Sequence, residues 1–167
     1  MTLPLSVPSD GTLRVDFVAT IANLSAPSVA SELNAVTSQE LSPYITGDGW
    51  QPTGEQASVT DERLASVQTF EQPGRKTKSL TVVYVHNPTS AGDNEAYETL
   101  AEGTTGYVTA RWAVPRTQAL AAGDKFDIYQ ITAGEPMKQF NGANSVHTVT
   151  QRLFVTGEVV LDAVAVA

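Results

Sequence analysis

His86 and His147 are the side chains of this sequence whose ordinary titration range lies closest to neutral pH. Either could serve as a base or a metal ligand. That chemistry needs acidic or hydroxyl partners at supporting spacing, and the sequence places none beside them. Both read as packing residues, one at a strand end and one within a strand. Asp61 and Glu62 are adjacent, so they point to opposite faces of a strand and diverge on a helix. They read as a solvated pair, not a general acid and base. Ser145 lies in GANSV, which lacks the second glycine of a nucleophile elbow. The run GRKTKS from Gly74 resembles half a phosphate loop, but lacks the upstream glycine and the Gly-Lys-Ser/Thr order. The acidic positions near GDG and AGD do not follow calcium-loop spacing. Asn23-Leu24-Ser25 is a formal glycosylation sequon, read as chance where no secretion signal is expected. With no cysteine, disulfides, thiolate zinc sites and cysteine nucleophiles are excluded together. The expectation is a protein that is not an enzyme and takes no cofactor or metal.

Charge and length narrow the classes further. Ten Lys and Arg stand against eighteen Asp and Glu, a formal charge of −8. That balance argues against a nucleic-acid-binding surface, whose phosphate contacts need clustered cations. Charged residues make up 17% of the chain, against about 25% in ordinary globular proteins. A surface so lightly charged is easily buried against a partner, which points weakly to assembly. The 167 residues fit a single domain, 1–167, able to build a hydrophobic core without staples. The opening MTLPLSVPSDG has neither a basic n-region nor an apolar h-region, so no signal peptide is expected. No apolar run approaches the ~18 residues that span a bilayer.

The elements that would position these residues are mostly strands. Residues 1–12 are rich in Pro, Ser and Gly and read as an extended arm. From Leu13 to Ala22 the chain alternates, with Leu13, Val15, Phe17, Ala19 and Ile21 opposite Arg14, Asp16 and Thr20, the pattern of a half-buried strand. SAPSVASELNAV predicts a short helix capped by Ser25, with Val29, Leu33 and Val36 on one stripe. Residues 42–56, with two Pro, three Gly and Trp50, predict a long loop. Strands are expected at Leu64–Glu71 and Thr77–His86, joined by the turn QPGRKT. A second short helix is expected over Asp93–Gly103, capped by Asp93 and carrying Tyr97, Leu100 and Ala101. Further strands are expected at Gly106–Val114, Lys125–Thr132, Ser145–Thr156 and Glu158–Val166, separated by AAGD, AGEP and NGAN turns. The expected class is mainly β: an antiparallel sandwich or half-barrel flanked by one or two short helices. Two features point outward. Trp50 is a large apolar side chain within a loop that also holds Tyr44, and Arg75, Lys76 and Lys78 form a basic turn in an acidic chain. These five are the candidate subunit-contact residues.

The segments APSVASELNA, YITGDGWQP and DERLASVQTFEQPGR running into KSLTVVYVHNP cover Ala26 to Pro88, about half the chain. In order and wording they resemble the major tail tube proteins of long-tailed, non-contractile bacteriophages, particularly those of actinobacteria. The resemblance implies a structural virion protein assembled in the host cytoplasm. Its copies would form homo-hexameric rings stacked into a tube, with other tail proteins at the tube ends and DNA passing through the lumen unbound. Long loops and terminal arms would lock ring to ring. Six copies at −8 each would carry −48 formal charges per ring, an electronegative wall from which the basic turn should point away. Two other readings stay open from the residues alone: another β-rich virion component such as a capsid decoration protein, and a carbohydrate- or surface-binding domain.

Overall fold

A computed structural model describes residues 3–167; Met1 and Thr2 of the expected arm lie outside the described residues. The chain is mainly β. Seven strands form one antiparallel sheet: β1 (Arg14–Val18), β2 (Gln39–Glu40), β3 (Ile45–Asp61), β4 (Phe70–Val85), β5 (Thr105–Arg111), β6 (Lys125–Gln139) and β7 (Thr148–Val164). Their order across the sheet is β2-β1-β5-β6-β7-β4-β3. β2 and β3 are the two edges, yet residues 41–44 alone join them. Four residues reach no further than about 14 Å, so the sheet must curl until its edges nearly meet. It does not close into a barrel, and the half-barrel expectation describes it.

Curling creates an inside. Val15 and Phe17 of β1, Leu80, Val82 and Tyr84 of β4, Val108 of β5, Tyr129 and Ile131 of β6, and Val149 and Leu153 of β7 form the main core. Residues Glu95–Thr99 (α1) pack over one end, burying Ala96 and Leu100 against the same cluster. Buried Gln151 ties these layers together. Its amide donates to the Leu100 and Gly134 carbonyls at 2.7 Å, and its oxygen accepts from the Tyr84 hydroxyl at 2.8 Å. Burial pushes the Tyr84 hydroxyl's pKa well above its ordinary value, which keeps it a donor. A second cluster, with Val18, Ile21, Leu33, Leu120, Phe126 and Ile128, lies under the segments that follow β1 and β5.

Several expected boundaries move, and prolines explain the largest changes. The expected loop 42–56 is mostly strand β3, and the expected turn QPGRKT lies inside the continuous strand β4. The true hairpin tip is 62–69, where a strand had been expected. Proline is tolerated where a strand has no neighbour to receive its missing N–H. Pro52 lies on edge strand β3. Pro73 lies where β4 has left β7, whose ladder with it runs only over Leu80–Val85. Pro136 lies past the end of the β5–β6 ladder. Gly49 marks a register shift between Ile45 and Trp50, with backbone so close to Val83 that a Cβ would sit 2.1 Å from its carbonyl oxygen. The strands expected at Ser145–Thr156 and Glu158–Val166 are one strand, β7, running through Gly157 opposite a register shift in β6. AGEP likewise lies within β6, not in a turn.

The helices shrink as well. Near the first, only Val29–Leu33 winds, with Ser28 as the cap instead of Ser25. Leu33 is buried, while Val36 is fully exposed. The Glu32 carboxylate turns back to accept from the Ser28 and Ala22 N–H groups, which anchors the start of this turn. In the second, Asn94 occupies the cap position in place of Asp93, and its side chain turns to His86 instead of capping. The helix ends at Thr99 with Leu100 as its cap, well before Gly103, which instead turns the chain toward β5 at φ +82°.

β1 is covered on both faces, against the expectation of a half-exposed strand. Asp16 is 1% exposed, opposite Glu40 in the register and held by the Arg14 guanidinium at 2.9 Å. Burial raises the Asp16 pKa more than the Arg14 hydrogen bond lowers it. The folded value thus lies above the unfolded one. Asp16 contributes stability in full below its unfolded pKa and loses it as pH rises through the folded value. Asp16→Asn should therefore gain stability relative to the parent as pH rises through the acid range, read from urea midpoints. A gap that widens in the parent's favour as pH rises would contradict this account.

Candidate assembly surfaces

Four long strands lie side by side in the order β6-β7-β4-β3, each of 15 to 17 residues. One face of this quartet turns to the core through Trp50, Leu80, Val82, Leu153 and Ile131. Alternation puts their neighbours on the other face. There Gln51, Thr53 and Glu55 pair with Thr81, Ser79 and Thr77, and Thr81 pairs with Arg152 across to β7. Thr150 and Thr132 continue the face. The Thr53 and Ser79 hydroxyls bond to each other at 2.7 Å. Glu55 and Arg152 are charged side chains of this patch, with Arg75 and Glu135 on the same side where β4 and β6 bulge, and Arg152 lies over the Phe154 ring at 5.0 Å.

The candidate contact residues separate into two groups. Tyr44 and Trp50 engage their own chain. The Tyr44 hydroxyl donates to the Gly92 carbonyl and meets the Glu95 carboxylate at 2.9 and 3.0 Å. Trp50 stands edge-on to Tyr129 with ring centres 5.8 Å apart, against the main core. Its indole N–H is buried without an acceptor among the described residues. A cavity of about 420 Å³ adjoins it, lined by residues 9–12 of the arm, Leu13, Trp112 and Arg116. Trp50→Ala should cost about 3 kcal/mol of monomer stability by truncating a packed aromatic. A dilute melt measures it, and an unchanged melting temperature would show that the ring supports only contacts between copies.

Arg75, Lys76 and Lys78 stand on strand β4, not on a turn. Lys76 and Lys78 share the face of Leu80, opposite Ser79. None of the three has an ion-pair partner among the described residues. Lys76, Lys78 and Glu158 line an open cleft where β4 and β7 part.

The candidate chemical residues disperse. His86 meets Asn94 at 3.1 Å and the Tyr97 ring at 4.9 Å, while His147 lies against Phe140. Asp61 binds Arg63 at 2.9 Å in solvent. Ser145 is exposed in the turn between β6 and β7. Among the described residues, no three acidic or histidine side chains gather as metal ligands would, and no helix is long and apolar enough to cross a membrane. Sequence reasoning missed Arg111, which is fully buried. It binds the Asp124 carboxylate at 2.8 Å and the carbonyls of Pro115, Gln118 and Ala119. Its position inside an apolar strand, VTARWAV, was the available signal.

Comparison with curated proteins gives no match. Among solved structures, the chain is similar to one in the six-fold symmetrised cryo-EM structure of the anti-feeding prophage baseplate. The TM-score is 0.51 at 14% identity, over 96% of this chain and 97% of that one, a likeness of fold. The profile of the family described as phage tail tube protein matches residues 1–167. A long-stranded open sheet with a polar outer face, matched by that family from end to end, makes this chain a member of the phage tail tube proteins and a structural protein of the virion tail.

Proposed function

We propose that copies of this chain close into hexameric rings, which stack into a tube through which DNA leaves the virion, with the hydroxyl-bearing face of β3, β4, β6 and β7 lining the lumen. The observation that carries this reading is that face itself: four adjacent long strands presenting mainly Thr, Ser and Gln, with charges of both signs and no cluster of cations. Six such quartets, edge to edge, would cover the exposed edges that a lone sheet leaves open to unwanted pairing. The six-fold symmetry of the structurally similar prophage baseplate supports the subunit number, and the resemblance over Ala26–Pro88 supports the non-contractile kind of tail. Rings would form in the host cytoplasm and join other tail proteins at the tube ends.

Such a wall lets DNA slide because it offers no clustered cations to the phosphates. This refines the expectation from net charge: the lining is close to neutral, and the surplus acids lie elsewhere. Lys76 and Lys78, on the opposite face, are directed away from the lumen and toward a neighbouring copy, whereas Arg75 follows Thr77 on the hydroxyl side at the end of the patch. The reading leaves no catalytic role, since both histidines are packed against aromatic rings. Electron microscopy of the purified protein at high concentration tests it. Rings and tubes with a central channel are expected; monomers at every concentration, or a channel lined by Lys76 and Lys78, would overturn it.

A further inference from the structure

The four long strands end in two apolar surfaces that one chain cannot bring together. At one end, the β3–β4 tip exposes Leu64 and Val67 completely, at 109% and 111%, with Phe70 half exposed behind them. At the other, the β6–β7 turn exposes Phe140 at 81%, with Met137 and Val146 beside it. β4 runs from one to the other over 16 residues, about 50 Å at ~3.3 Å per residue.

The charges are complementary too. The tip carries Asp61, Glu62 and Glu71 against Arg63 alone. The far end holds a depression of about 350 Å³ lined by His86, Pro88, Lys138, Gln139, Phe140, His147 and Thr148, with no carboxylate among them. Lys138 is its cation, held over the Tyr97 ring at 5.3 Å. Exposed apolar side chains grouped in this way mark interaction sites. An acidic, leucine-bearing tip fits a basic, phenylalanine-rimmed depression in both respects.

We propose that the 62–70 tip of one copy docks head to tail into the Phe140–Lys138–His147 end of a second copy in the next ring. The contact rests on the proposed ring-and-tube reading and gives it a stacking joint. A heterologous contact of this kind does not close on itself, so it propagates a filament along the strand direction.

Two variants test the joint: Leu64→Ser with Val67→Ser at the tip, and Phe140→Asp at the far end. All three positions are solvent-exposed, so circular dichroism should match the parent. Each variant alone should form rings that fail to stack, with the stacking threshold raised about tenfold or more by the lost apolar burial. Rings of the two variants, assembled separately and then mixed, share one intact joint and should give stacks two rings high. Tubes of parental length from either variant alone would overturn the docking, as would a mixture that never pairs. So would stacking that survives the tip variant but is lost on deleting residues 1–10, which would make the arm the occupant. If the parent itself forms no rings, the conduit reading fails; if the parent and both variants all form tubes, only the joint does.

Discussion

Replacing Arg111 with Met should lower the stability of the folded chain by about 3–5 kcal/mol, the cost of breaking a buried charged pair by removing one partner. At roughly 2–4 °C per kcal/mol for a chain of this size, the melting temperature falls by about 6–20 °C. The cause is local. Arg111 is fully buried at the end of β5, and its two terminal nitrogens hold the Pro115, Gln118 and Ala119 carbonyls and the Asp124 carboxylate at 2.7 to 3.2 Å. That one guanidinium shapes the whole connection from β5 to β6. Methionine fills much of the volume but leaves the Gln118 and Ala119 carbonyls without the guanidinium donors and the Asp124 carboxylate without its cation. Arg111→Lys should rescue little, because an ammonium is a point charge and cannot span the fork. Calorimetry with limited proteolysis checks this, and preferential cleavage over 112–124 is expected in both variants. A melt within about 2 °C of the parent would show that the loop is held by other contacts, chiefly Leu120 in the second core.

A lysine placed on the hydroxyl face should turn a passive wall into one that holds DNA. Ser79→Lys adds one cation per subunit, six per proposed ring, beside Thr53 on the side away from the core. Ser79 is half-buried and its one polar contact there is the Thr53 hydroxyl, so assembly should survive. Tubes of the variant should then retain double-stranded DNA, and retention should fall steeply with salt, by about 0.9 in log affinity per decade of salt for each phosphate neutralised. Parent tubes should retain none. Gln56→Lys, on the opposite face beside Lys76, is the control and should behave as the parent. Retention by the control but not by Ser79→Lys would reverse the assignment of the faces. Screening over about 8 Å at physiological ionic strength confines the effect to charges lining the channel, so the comparison reads position and not net charge.

Much of this was legible in order along the chain. Alternation in VDFV, LTVVYV and FDIYQI marked strands because a residue that faces the core must be apolar every second position, and each of these segments is a strand. Gly103 was legible as a turn, since a positive φ is open to it at little cost, although the helix before it ends earlier, at Thr99. The prolines misled. Pro52, Pro73 and Pro136 break a strand only if it has neighbours on both sides, and the sequence does not say which strands are edges. The basic residues misled for the same reason: once Pro73 was read as a turn, Arg75, Lys76 and Lys78 were placed at a tip that lies instead at 62–69.

Composition and the wording of several segments determined by themselves that the protein is mainly β, free of thiol chemistry and akin to the tail tube proteins. Hydrophobic period and residue inventory are local properties, readable without knowing what touches what. Only the tertiary structure decided that β2 and β3, neighbours in sequence, bound opposite edges of one curled sheet. The same holds for the packing of Trp50 on Tyr129, for Arg111 binding four groups of one loop, and for the lightly charged face of the long strands, on a chain of charge −8. Each depends on register between strands far apart in sequence. A one-residue slip would exchange the two faces of a strand, and no local pattern records which partner a strand will meet.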